Sequence, residues 1–413
     1  MKLRYYQEEA VNKALEIKNG IIVCPTGAGK SIIIAELCRR LSGKILILQP
    51  TIEILQQNKQ KIFSATSEKI GIYSASAGEK TISRITLATI QSIKDFDLFA
   101  RFNMIVCDES HLVNAKGGGY EKLINFIKPE YLIGLTATPY RMAKNRFSGT
   151  EFRLIWRTKP KIFKQLIYAY QNTQILADGY WTKTRHFQYT YNEDGLTSGN
   201  RNDFTEESIL RINKLNSIYE KIIAICKNTK KSRVLIFATK IEEAEFIAKI
   251  TNGYAISSKS EDRDELLNKF SNGKIRVLVN VGILTTGYDL PALDCIVLAR
   301  PTMSLSLYCQ MVGRGLRICE GKNDLELHDL CGNIKRFGKV ETMEIAENYL
   351  VSEKGNLIGF KPQNSKSYVM EFGRWRGRSI EEVDDGYIKW ASKEFKNHLK
   401  EVFLNEARRR ELI

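Results

Sequence analysis

Seven short apolar runs recur along the chain, and none of them alternates polar with apolar residues. In the first half they are IIVCP (21–25), ILILQP (45–50), MIVCDE (104–109) and YLIGLTATP (131–139). In the second half they are VLIFAT (234–239), VLVNV (277–281) and IVLARP (296–301). A strand that is apolar on both faces must be covered on both, as in parallel sheets sandwiched between helices. Helix-like periodicity follows each run, so the pattern predicts two successive α/β units of about 150 residues each. Between them TYNEDGLTSGNRND (190–203) lacks periodicity and is rich in Gly, Asn and Asp, as a linker or long loop is. A helix is expected to start near Thr205 and to carry Leu215, Ile218, Ile222 and Ile225 at helical spacing. After about residue 340 polar turns take over, then a final helix with Phe395, Leu399, Val402 and Phe403. The expected division is 1–178, an entry segment 179–215, 216–340, and a small module 341–413.

Composition agrees with this layout: 413 residues, 43% hydrophobic and 27% charged, suit two or three globular domains and exclude a disordered or fibrous chain. Charge adds something new. Sixty-three Lys and Arg against 47 Asp and Glu leave +16, which suggests a polyanionic partner. The excess lies in the body of the chain: 26 basic against 15 acidic residues over 1–178, and 13 against 13 over 341–413. The eight cysteines form no C-x-x-C, and none pairs with one of the four histidines at zinc spacing, so a reducing cytoplasm and no structural metal are expected. MKLRYYQEEA has no apolar signal region, and no run approaches the ~18 residues of a membrane span.

The chemistry concentrates at three places. The first strand runs into CPTGAGKS (24–31) and then a helix, so backbone N–H groups and the helix dipole converge on an anion. In that phosphate cradle Thr26, Gly27 and Gly29 shape the loop, Lys30 reaches the terminal phosphates, and Ser31 takes a Mg²⁺ position. The strict G-x-x-x-x-G-K-[ST] pattern is broken at its first glycine, where Cys24 stands. MIVCDESH (104–111) offers Asp108 as the metal carboxylate and Glu109 as the general base for an attacking water. QMVGRGLR (310–317) places Arg314 and Arg317 three apart, as if on one helical face, where both reach a single anion.

These segments, in this order, resemble superfamily 2 helicases and translocases over roughly residues 1–340, in the restriction-subunit and repair-helicase branch that includes phage branch-migration helicases. The resemblance implies an α/β fold of two tandem RecA-like parallel-sheet domains with a small α+β C-terminal extension, and ATP with Mg²⁺ as the nucleotide and metal. LRYYQEEAV (3–11) looks like that branch's adenine-reading segment, which implies adenine contact for Gln7 with Arg4 beside it. QPTIEILQQ (49–57) and TLATIQSI (86–93) look like the strand-tracking motifs Ia and Ib, implying nucleic-acid contacts at Pro50, Thr51, Thr89 and Gln91. LTATPYR (135–141) is similar to motif III, which links nucleotide state to domain movement, and VLIFATKIEEAE (234–245) to motif IV. ILTTGYDLPALD (283–294) is similar to motif V, implying that Thr285 and Thr286 meet the strand while Gly287 and Asp289 sit near the nucleotide. QMVGRGLR is similar to motif VI, so Arg314 and Arg317 inherit an arginine-finger role.

The expected partner is DNA, whether single-stranded, forked or branched, and the expected activity is ATP-driven helicase or translocase action in repair, recombination or replication. The alternatives are a duplex-tracking motor of a restriction-type complex and an RNA helicase. The run 141–164 holds eight basic residues and one acid with interleaved aromatics, which nominates Arg146, Arg153 and Arg157 for duplex or junction contact. In the tail, Phe372, Gly373, Trp375, Gly377, Tyr387 and Trp390 resemble a small module attached to phage and bacterial DNA-processing proteins. Its neutral charge fits a protein-docking core better than a DNA anchor. A monomer or weak oligomer with no membrane contact completes the expectation.

Overall fold

The computed structural model describes residues 2–114, 117–145, 149–157, 160–199, 203–282, 290–345, 350–351, 357–358, 370, 375, 380, 383–395, 399–410 and 412. The chain divides into two compact units, Met1–Gly359 and Phe360–Ile413.

In the larger unit the first strands are β1 (Asn19–Val23), β2 (Lys44–Gln49), β3 (Ile70–Ser74), β4 (Glu79–Lys80), β5 (Ile85–Thr89), β6 (Phe102–Cys107) and β7 (Tyr131–Thr136). A hairpin of β8 (Tyr140–Asn145) and β9 (Gly149–Leu154) follows, then β10 (Leu166–Ala169). Among the described residues all of these but β8 and β9 build an eight-stranded sheet in the order β10-β1-β7-β6-β2-β5-β3-β4, parallel except where β4 pairs with β3. Both faces are packed, which explains the missing alternation. Ile22, Ile45, Ile47, Val106 and Leu135 lie in one core, while Ile21, Val23, Leu46, Leu48 and Ile105 lie in the other.

A second sheet follows from β11 (Lys183–Gln188), β12 (Val234–Phe237), β13 (Tyr254–Ile256), β14 (Val277–Asn280), β15 (Cys295–Leu298) and β16 (Asp324–Asp329). Its order is β11-β16-β15-β12-β14-β13, with every pairing parallel. The protein is therefore α/β, with two tandem RecA-like parallel sheets.

Three segments differ from their sequence pattern. Asp203, at the end of the expected linker, is anchored to the second sheet domain, where it accepts from the Thr302 hydroxyl at 2.9 Å and the Met303 N–H at 2.7 Å. The helix entered at Thr205, whose side chain caps Ser208, ends at Leu215, and a new helix begins at Ile218. Ser217 takes φ 52° at the break, which leaves Leu215 exposed on the first helix, off the face of Ile218, Ile222 and Ile225. Phe395 belongs to the end of the helix Asp385–Glu394, and Leu399–Arg409 forms a separate helix.

In the smaller unit these two helices pack over Met370, Ile380, Val383, Ile388, Ala391, Phe403 and Ala407. Arg410 ties its ends together, donating to the Asp385 carboxylate at 2.7 Å and to the carbonyls of Val383 and Ile380 at 2.8 and 2.9 Å. Trp375 and Tyr387 pack against this core and Trp390 is half exposed; Phe372, Gly373 and Gly377 lie outside the described residues. The short strands Glu344–Ile345, Leu350–Val351 and Leu357–Ile358 pair with one another inside the larger unit. No helix among the described residues is long and apolar enough to cross a membrane.

Candidate active site

Parallel strands deliver their following loops to one edge of a sheet, and ligands bind there. In the first sheet β1 ends before Cys24, β2 before Pro50, β6 before Asp108, and β5 and β7 at Thr89 and Thr136. All the described first-domain site residues except Arg4, Gln7, Arg153 and Arg157 lie at or just beyond these ends.

The loop after β1 turns through Gly27 at φ 84° and Gly29 at φ 83°, and Gly29 caps the helix Lys30–Arg40. That left-handed conformation suits glycine. Close neighbours add a second reason. A Cβ on Gly29 would stand 2.6 Å from Gln7 Nε2, and one on Gly27 would stand 3.2 Å from Arg317 Cγ. The Cys24 thiol, where the strict pattern has glycine, is fully buried, and burial pushes its pKa up to about 12. It is an inert packing group.

On one side of the loop Gln7 donates to the Ala28 carbonyl at 3.0 Å and accepts from the Arg4 N–H at 3.0 Å. Tyr6 donates to the same carbonyl at 2.9 Å and stacks on Tyr170 at 3.8 Å. The Arg4 guanidinium lies 3.6 Å over the Tyr180 ring. Residue by residue this brings Arg4 and Gln7 to the loop, with Tyr180 as a partner that the sequence did not suggest.

On the other side stand the carboxylates. Asp108 accepts from the Glu109 N–H at 2.9 Å and from Asn58 Nδ2 at 3.1 Å. Burial and the Glu109 charge push its pKa above the usual carboxylate range, against the pull of Lys30. Glu109 takes φ 45°, with its carboxylate 3.6 Å from Lys30 Nζ and 3.3 Å from His111 Nδ1. Burial works against its charge, but Lys30, His111 and Arg314 outweigh it and hold its pKa below the ordinary value. His111 Nδ1 also lies 3.0 Å from Thr136 Oγ1 and 3.4 Å from Thr138 Oγ1, so Glu109 connects through one imidazole to the LTATP segment.

Arg314 and Arg317 come from the second sheet domain to this same loop. They do not share a helical face, contrary to their spacing. The helix Leu305–Gly313 ends before them, and Arg317 forms a β-bridge with Trp181. Beyond the helix, Gly315 packs so closely on Leu325 and Ile296 that a Cβ would lie 2.5 Å from Leu325 Cδ1. Trp181 Nε1 donates to the Thr26 carbonyl at 2.9 Å, and a Cβ on Gly313 would stand 2.9 Å from Thr26 Oγ1. Arg314 is 6% exposed, and burial lowers its pKa to about 10 although Glu109 opposes the shift. Burial lowers that of Arg317 too.

Two further side chains reach the loop from the helix Ile52–Thr66. Asn58 holds Asp108, and Lys61 Nζ donates to Ser31 Oγ at 2.8 Å. Their signal in the sequence is faint: Asn58 is a polar residue in the buried stripe Leu55, Asn58, Ile62.

The nominated nucleic-acid residues are more scattered. Thr51 caps the helix Ile52–Thr66 beside Pro50, and Gln91 is exposed in a single turn. Thr89 is buried, with its hydroxyl 3.2 Å from that of Ser74 and 2.8 Å from that of Ser92. Arg157 is exposed and Arg153 lies on β9, while Trp156 and Phe163 of the same run belong to the core. Arg146, Thr285, Thr286, Gly287 and Asp289 lie outside the described residues. Elsewhere Cys295, Glu326 and His328 cluster in the second sheet, but Glu326 is spent on Arg185 at 2.5 Å and Thr229 at 2.6 Å, so it reads as an internal ion pair.

Residues 1–141 match the family described as type III restriction enzyme, res subunit, and residues 213–319 match the helicase conserved C-terminal domain. A DNA 3'-5' translocase, XPB2 of Sulfurisphaera tokodaii, is 26% identical over 359 residues, 77% of this chain and 79% of the relative. The type I restriction enzyme EcoAI endonuclease subunit of Escherichia coli is 24% identical over 77% of this chain, which spans 44% of that subunit. A solved structure, the ATP-dependent type ISP restriction-modification enzyme LlaBIII bound to DNA, has a similar fold, with TM-score 0.59 and 18% identity over 80% of this chain and 28% of that enzyme.

Proposed function

We propose that this chain, which belongs to helicase superfamily 2, couples ATP hydrolysis to movement along DNA and acts at forked or branched structures. The observation that carries the reading is the split site: Arg317 of one sheet domain lies against Gly27 of the other, and Gly313 lies against Thr26. A site assembled from two domains closes and opens as its ligand is bound and consumed.

The residues fit a nucleotide triphosphate. The two left-handed glycines leave backbone N–H groups free to approach phosphate, and Lys30 supplies an ammonium beside them. A Mg²⁺ ion is a hard cation suited to the Ser31 hydroxyl and the Asp108 carboxylate, and when bound it would neutralise phosphate charge. Glu109 is held ionised and draws the proton from the water that attacks the terminal phosphate. Arg314 and Arg317 stabilise the charge that develops as the phosphoryl group leaves. His111 passes the state of Glu109 to Thr136 and Thr138. Gln7 and Arg4, with the Tyr180 ring, form the base-reading side.

DNA is the partner favoured by +16 of net charge, because neutralising phosphates supplies most non-specific affinity. We assign strand contacts to Pro50, Thr51 and Gln91 on the first domain and to Thr285 and Thr286 on the second, with Gly287 and Asp289 near the nucleotide; Thr89 is left out, because its hydroxyl is buried against Ser74 and Ser92. Arg146, Arg153 and Arg157 would meet duplex or junction. The match of residues 1–141 to a restriction subunit favours one second reading, a motor that tracks duplex without separating it.

A panel of labelled substrates decides between them: single overhangs, forks, four-way junctions, RNA duplexes, and a duplex bearing a third strand. The proposal expects ATP- and Mg²⁺-dependent release of a strand from forks and junctions. Displacement of the third strand with duplexes left intact would favour the tracking motor, and release from RNA duplexes alone would overturn the DNA assignment.

A further inference from the structure

We infer that Lys61 is a tethered cation that holds the metal position between Ser31 and Asp108 until a divalent cation displaces it. The inference rests on reading Ser31 and Asp108 as that position. Lys61 sits on the helix Ile52–Thr66, three residues after Asn58 and therefore on the same side of the helix. Asn58 anchors that side by donating to Asp108 Oδ2 at 3.1 Å. Lys61 Nζ then donates to Ser31 Oγ at 2.8 Å, engaging the oxygen that a metal would take.

The local carboxylates draw an ammonium towards this place. Two carboxylates, Asp108 and Glu109, stand side by side, and Lys30 is 3.6 Å from Glu109. Asn58 and the Glu109 N–H are neutral donors, so they leave the charge of Asp108 in place. Burial of the Lys61 head and the Arg317 charge outweigh the attraction of Asp108 and lower its pKa from the ordinary value, so the cation is held loosely enough for a metal to displace it. An ammonium and a divalent cation cannot both sit at the Ser31 hydroxyl, because like charges at such separation repel. Binding of metal with nucleotide therefore has to move Lys61 away. The helix that carries Lys61 is capped by Thr51, a residue proposed to touch DNA.

The test is Mg²⁺-dependent binding of a fluorescent ADP analogue to the full chain, read without turnover. Wild-type protein should bind the analogue more tightly as Mg²⁺ is added; no dependence on Mg²⁺ would overturn the metal position itself. Lys61→Met should lower the Mg²⁺ concentration at half-saturation by about three- to tenfold, the order expected for removing one competing charge near a solvated site. Lys61→Arg should stay near wild type. With Mg²⁺ dependence intact in all three proteins, an unchanged or raised midpoint in Lys61→Met would overturn the role of Lys61 alone.

Discussion

Glu109→Gln is expected to bind ATP about as well as wild type and to hydrolyse it roughly 10²–10⁴ times more slowly, the usual contribution of a positioned general base. The substitution keeps the size of the side chain and removes only its charge and basicity. Lys30, His111 and Arg314 hold Glu109 ionised and weakly basic. Phosphate brought to Lys30 diverts that cation from the carboxylate, 3.6 Å away, and so raises the basicity of Glu109 when it is needed. The amide accepts no proton under any arrangement. Single-turnover hydrolysis beside equilibrium binding of a fluorescent nucleotide separates the two quantities. Turnover within a few-fold of wild type would remove Glu109 from the mechanism.

Arg317→Ala and Arg314→Ala should each slow hydrolysis by roughly 10³–10⁵, as loss of an arginine finger does, with a much smaller change in nucleotide affinity. Both guanidiniums are costly to keep where they are, and burial lowers their pKa. Arg314 is compensated by the charge of Glu109, whereas Arg317 leans on the edge of Gly27 and is held by the bridge to Trp181. Lysine would not restore either position, because its compact ammonium lacks the planar fork that spans two phosphate oxygens. A loss of affinity equal to the loss of rate would instead mean that the arginines merely bind ground-state nucleotide. The same two assays read this outcome.

Much of this arrangement was legible in the residues. Continuous apolar runs marked β1, β2, β6, β7, β12, β14 and β15 because each is buried on both faces. β16 escaped because DLELHD looks polar, yet Glu326 and His328 are buried there beside Arg185, Thr229 and Tyr189. Helical periodicity misled at Leu215 and Ile218, where a left-handed Ser217 resets the phase. It misled again at Arg314 and Arg317, where the helix ends at Gly313 and the chain goes on to bridge with Trp181. The loop 24–31 and the pair Asp108–Glu109 announced themselves through local spacing. Asn58, Lys61, Tyr180 and Trp181 did not, because they reach the loop only through tertiary contacts.

ATP hydrolysis at this site is expected to respond to DNA. Steady-state turnover, measured alone and with single-stranded DNA, forked DNA and RNA across a salt series, tests it most directly. Forked or single-stranded DNA should stimulate turnover several-fold at low salt, with apparent DNA affinity falling steeply as salt rises. Turnover that is equal with and without DNA at every salt concentration would contradict the coupling of this site to nucleic acid.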